Sequence, residues 1–119
     1  MNNRIELSKK DVLDILDIVK NKNKRLFRFL PRDLENDKNP RDYMTKIGID
    51  YDDAIKIIKN LEFDNFYECI LDIKNNFKYL YVFKKYIGDS KTYIKIAFLY
   101  DIKYDCVYVV SFHEDILEE

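Results

Sequence analysis

Three segments rich in β-branched and aromatic residues follow one another between Tyr79 and His113, and this run constrains the fold more than any other feature of the chain. They are Tyr79–Ile87, Lys91–Tyr100 and Cys106–His113. Gly88-Asp89-Ser90 suits the tight turn of a hairpin, and the polar connection Asp101–Asp105 separates the last two segments, so the spacing predicts an antiparallel meander. Within the middle segment Ile94, Ile96 and Phe98 point one way while Tyr93, Lys95 and Ala97 point the other. One face is therefore apolar. The other offers a phenol and an ammonium two residues apart, which could hold an anion but is first of all what the watered side of a half-buried strand presents.

At 119 residues, 47% hydrophobic and 36% charged, the chain has the composition of one folded domain, 1–119, and not of a disordered segment. No apolar run approaches the roughly 18 residues of a membrane span, and the first residues lack a signal peptide's apolar core, so a cytoplasmic location without a membrane partner is expected. Cys69 and Cys106 have neither CxxC spacing nor a neighbouring histidine, which predicts reduced thiols, no metal site and no cofactor. The net charge of −1 hides an uneven distribution. Residues 73–113 carry 7 Lys+Arg against 3 Asp+Glu, whereas the acidic tail 114–119 carries 4 acids and no base. A positive field over the sheet segment is compatible with a phosphate-bearing substrate or an acidic protein partner.

Ahead of the meander the chain reads as helical. Ser8 and Asp11 form a short-armed capping box before Val12, Ile15, Leu16 and Val19, whose spacing predicts an amphipathic helix from Lys9 to about Lys22. Lys20, Lys22, Lys24, Arg25 and Arg28 crowd its C-terminal end, where the helix dipole favours cations. Leu26–Leu30 alternates and reads as a short strand or extended connector; Leu34–Pro40 reads as a turn or irregular helix. A helix from Arg41 to about Ile47 stops at Gly48, and Asp50 with Asp53 caps another whose apolar face is Ala54, Ile57, Ile58 and Leu61. Phe66–Ile73 reads as a strand. The helical part (about 8–62) followed by an antiparallel sheet (about 66–113) predicts an α+β fold with N-terminal helices packed on one face of a C-terminal sheet. No Gly-rich phosphate loop, HExxH pair or EF-hand loop is present.

Taken in order, Ile47-Gly-Ile-Asp-Tyr-Asp-Asp53, Ile57-Ile-Lys-Asn-Leu61, Asp64-Asn-Phe-Tyr67, Tyr93-Ile-Lys-Ile96 and Val109-Val-Ser-Phe-His113 resemble the motility quorum-sensing regulator (MqsR) family of toxins. The similarity spans about Leu7–Glu114 and is firmest from Gly48 onward. The resemblance implies a RelE-like fold, metal-independent cleavage of single-stranded messenger RNA without direct DNA contact, and neutralisation by a protein antitoxin. Such chemistry needs a base for the 2′-hydroxyl, cations for charge developing on phosphorus, and an acid for the leaving 5′-oxygen. The family's strand tyrosine falls on Tyr93, and the lysine two residues on falls on Lys95. The family's lysine directly after Phe-Tyr falls on Glu68, its glutamine on Leu80, and its C-terminal lysine on His113.

His113 is the only histidine and belongs to the side-chain type whose charge changes near neutrality, so it is a candidate acid or base in place of that lysine. The catalytic candidates are thus Tyr93, Lys95 and His113. Lys84, Lys85 and Lys91 flank the hairpin as candidate RNA contacts, and Tyr79, Tyr81, Phe83 and Tyr86 as candidate base-stacking rings or packing residues. The reversals at Glu68 and Leu80 keep a second function open: a non-catalytic interaction module, such as an inhibitor or regulator from a mobile element, acting on another protein target through the same fold.

Overall fold

The computed structural model describes residues 3–30, 39–73 and 77–115. Among the described residues three α-helices and six strands run in the order β1 (Arg4–Ile5), α1 (Lys9–Lys20), β2 (Phe27–Phe29), α2 (Pro40–Ile47), α3 (Tyr51–Lys59), β3 (Phe66–Leu71), β4 (Tyr79–Ile87), β5 (Ser90–Ala97) and β6 (Val107–Glu114). The strands form one sheet in the order β1-β3-β4-β5-β6-β2. The fold is α+β, and the meander β4-β5-β6 stands at the centre of the sheet, as its sequence predicted.

Local chemistry explains where the helices begin and end. At α1 the Asp11 backbone N–H donates to Ser8 Oγ (3.1 Å) while the Ser8 N–H donates to Asp11 Oδ2 (3.1 Å). Asp50 and Asp53 repeat this at α3, at 2.9 and 3.1 Å. Asn39 caps α2 with Pro40 as its first residue, and Gly48 closes it at φ 78°, a left-handed conformation that favours glycine.

The helices cover one face of the sheet. Val12, Ile15, Leu16 and Val19 of α1, Tyr43 and Met44 of α2, and Ala54, Ile55 and Ile58 of α3 join Phe83, Ile94, Ile96, Phe98, Val107, Val109 and Phe112 in one core. Ile94, Ile96 and Phe112 are fully buried there, each worth about 1.5–3 kcal/mol of hydrophobic stabilisation. Tyr43 ties α2 to β5 by hydrogen bonds with Ser90 Oγ (2.6 Å) and Thr92 Oγ1 (2.7 Å).

Several details differ from the sequence expectations. Ile55, and not Ile57, is the deeper residue of α3. β1 has no signature because two residues are too few to alternate. β2 pairs with β6 in parallel, so the sheet is mixed at that edge. β5 ends at Ala97, β3 at Leu71, and β6 continues through Glu114 to a buried Asp115 where a tail was expected. Lys22 leaves the basic cluster: its buried ammonium donates to the carbonyls of Lys103 (2.9 Å) and Asp105 (2.7 Å), anchoring the β5–β6 connection. Residues 34–38 of the expected irregular stretch, Asn75-Asn76 and tail residues 116–119 lie outside the described residues.

Candidate functional site

Strand register brings the candidate residues together on the face opposite the helices. Lys84, Tyr93 and His113 are consecutive Cα partners across β4, β5 and β6, and Val82, Lys95 and Ser111 are partners in the adjoining row. The rows are two residues apart, about 7 Å along the strands. Continuing outward, Glu68 of β3 partners Val82, and Arg4 of β1 partners Ile70.

Two bulges deliver this arrangement. Between Lys95↔Ser111 and Ile96↔Val109 the partner strand has one extra residue, Val110. Strict alternation from Val107 and Val109 would send Ser111 and His113 under the helices and Phe112 outward. The bulge reverses that phase, so Phe112 enters the core and His113 meets Tyr93. In β3 the extra residue is Tyr67, between Phe66↔Phe83 and Glu68↔Val82. Phe66 stacks edge-on against Phe83, with centroids 5.7 Å apart, while Glu68 goes to the other face.

The resulting contacts are close. The Tyr93 and His113 rings stack with centroids 5.1 Å apart and planes 10° from parallel, and Lys95 Nζ lies 5.6 Å from the Tyr93 ring. His113 Nδ1 is 2.9 Å from the Glu114 carbonyl oxygen. A carbonyl only accepts, so Nδ1 carries a proton and the lone pair of the neutral imidazole is on Nε2. That hydrogen bond favours the tautomer whose Nε2 is the basic nitrogen.

The flanking lysines separate. Lys84 Nζ lies 3.8 Å from the centroid of the Tyr67 ring and 3.2 Å from Asp115 Oδ2. Lys91, two residues from Tyr93, places its ammonium 3.9 Å from the same oxygen. Lys85 partners Thr92 and belongs to the helix-bearing face, so the sheet does not bring it to the row. Tyr79, Tyr81 and Phe83 also point to that face, and of the four candidate rings Tyr86 alone is on the Tyr93 side.

Glu68 is not a bare carboxylate. Arg4 Nε (3.2 Å) and Nη2 (3.0 Å) both donate to its Oε1, so a cation from β1 stands beside the reversed charge. Leu80 is buried at 6% exposure and offers no polar group. Sequence reasoning missed Asp115, Tyr67 and Arg4, because each reaches the site through a bulge or a pairing with no local pattern.

A cleft of about 410 Å³ on the helix side, lined by Ile15, Ile18, Cys69, Tyr79, Tyr81 and Ile102, takes two of the candidate rings but none of Tyr93, Lys95, His113, Lys84, Lys85 and Lys91. Burial pushes the Cys69 thiol up to about 11 and the Tyr81 phenol up to about 12, so neither supplies an ionised group near neutrality. Among the described residues no three His, Cys, Asp or Glu side chains converge as a metal would require, and no helix is long and apolar enough to cross a membrane.

A family model described as motility quorum-sensing regulator, toxin of MqsA, matches residues 30–114, which include every strand of the meander and all three residues of the Tyr93, Lys95 and His113 group. No curated protein matches the chain.

Proposed function

The chain belongs to the motility quorum-sensing regulator family of toxins, the toxic half of a toxin–antitoxin system with a protein antitoxin as partner, and from this premise we propose that it is an endoribonuclease acting on single-stranded mRNA without a metal ion. The observation that carries this reading is the stacked Tyr93–His113 pair with Lys95 beside it, on the sheet face away from the helices. In the proposed reaction the 2′-oxygen attacks the adjacent phosphorus. The O2′–P bond forms, the P–O5′ bond breaks, and the proton lost from the 2′-hydroxyl is matched by one delivered to O5′, leaving a 2′,3′-cyclic phosphate. His113 Nε2 is the proton-transfer group, and the Lys95 ammonium offsets charge building on the phosphoryl oxygens. Tyr93 fixes the imidazole by stacking and presents its phenol to the same phosphate.

The replacement of the family lysine by Glu68 supports a second reading, a toxin-fold protein that binds a protein target without cutting RNA. Incubating the purified protein with a long RNA in EDTA separates the two. Discrete fragments ending in 2′,3′-cyclic phosphate are expected for the nuclease; intact RNA together with tight antitoxin binding would favour the second reading.

A further inference from the structure

We propose that Asp115 clamps Lys84 and Lys91 into a second phosphate subsite, flanked by the rings of Tyr67 and Tyr86, which takes the nucleotide next to the scissile phosphate in a single-stranded RNA. The proposal rests on the nuclease reading and extends it along the strand. Asp115 is the residue after β6; its backbone N–H donates to the Lys91 carbonyl at 2.8 Å, which continues the β6 edge and turns the carboxylate toward the Tyr93 side. That side chain is 3% exposed, with Oδ2 between the two ammonium groups and Oδ1 without a donor among the described residues.

A carboxylate so placed has to be neutralised, and two lysines drawn this close have to be kept from repelling each other. One negative charge against two positive ones meets both needs and leaves the cluster with a net positive charge. Lys84 is largely buried with Asp115, whereas about half of the Lys91 side chain remains exposed, so the surplus charge is presented through Lys91. Rings stand on either side. Tyr67 covers Lys84, and Tyr86, 64% exposed, lies 6.0 Å from Lys91 Nζ. Exposed aromatic rings beside cations on a sheet face are the arrangement that stacks single-stranded bases while holding their phosphates. Because Lys91 is one side-chain step, about 7 Å, from Tyr93 along β5, the cluster faces the nucleotide neighbouring the one that is cut.

The test is the affinity of a fluorescent 2′-O-methyl oligoribonucleotide, which binds without being cut, for the full chain carrying Asp115→Asn, Lys91→Ala or Tyr86→Ala, with a thermal melt of each. Tyr86→Ala should weaken binding about 10-fold, the scale of one lost base stack. Lys91→Ala should lower the salt dependence by about one phosphate contact. Asp115→Asn is the sharpest arm: deleting a negative charge ordinarily tightens RNA binding, yet loss of the clamp should weaken it, and Asp115→Glu should restore part of the loss. Asp115→Asn binding as tightly as wild type or tighter, or unchanged affinity in both Lys91→Ala and Tyr86→Ala, would overturn the subsite, and the latter two decide it if Asp115→Asn does not fold. If wild type cuts RNA while these variants bind normally, the subsite alone falls; if wild type neither cuts nor binds, the nuclease reading falls with it.

Discussion

The two faces of the sheet are built from the same strands, yet they follow different physical rules. On the helix face the core is mostly apolar and interchangeable in kind, the Tyr43 hydrogen bonds to Ser90 and Thr92 apart: Ile94, Ile96, Val109 and Phe112 need only fill volume beneath α1, α2 and α3. On the other face the contacts are pairwise and directional: Tyr93 on His113, Lys84 between Tyr67 and Asp115, Arg4 on Glu68. A substitution on the first face should therefore act through stability and one on the second through chemistry. Val110 and Tyr67, the two bulge residues, mark where the chain passes from one rule to the other.

Deleting Val110 should give the largest effect, because a one-residue change of phase drives His113 toward the helices and Phe112 into solvent. The expected result is loss of both cooperative melting and RNA cleavage, read by circular dichroism and a cleavage assay; a folded, active deletion variant would mean that the phase of β6 is set elsewhere. Next comes Ile96→Ala, which leaves a cavity in the helix-face core and should cost about 2–5 kcal/mol in urea unfolding. At temperatures below its melt, cleavage should stay close to wild type. Lys95→Ala should reverse the pattern, lowering the cleavage rate by about 10²-fold while the urea midpoint barely moves. Its RNA affinity should also lose about one phosphate's worth of salt dependence.

The smallest effect is on alkaline stability. Folding raises Cys69 from 9.0 to about 11 and Tyr81 from 10.0 to about 12, both chiefly through burial. The unfolded chain therefore releases these protons first. Stability is fully present below pH about 9 and declines as pH rises from about 9 towards about 12. Melting temperatures across that window should fall, and Tyr81→Phe should flatten the upper part of the decline; an unchanged slope would remove Tyr81 as a cause.

Much of the helix face was legible in the sequence because its rules are periodic. The 3.6-residue spacing of α1, the capping pairs Ser8/Asp11 and Asp50/Asp53, the stop at Gly48 and the turn at Gly88 each follow from local chemistry. The other face was legible only in part. Tyr93 and Lys95 follow from alternation within β5, but their meeting with His113 depends on a bulge whose extra residue, a valine in a run of strand-formers, carries no signal of its own. Asp115 read as the second residue of an acidic tail, since nothing in Glu114-Asp115-Ile116 distinguishes a buried carboxylate from solvated ones. The pairing of β1 with β3, which sets Arg4 beside Glu68, joins residues 64 apart, and local pattern does not reach that far.

On the proposed function, the face carrying His113 does chemistry that the fold does not need. The most direct measurement is the cleavage rate of His113→Ala on single-stranded RNA in EDTA, taken beside its thermal melt. The rate should be lower by about 10²- to 10⁴-fold, the usual worth of a positioned acid or base, with the melt within a few degrees of wild type. Wild-type cleavage by the His113→Ala protein, or a rate that falls only as far as the folded fraction does, would contradict it.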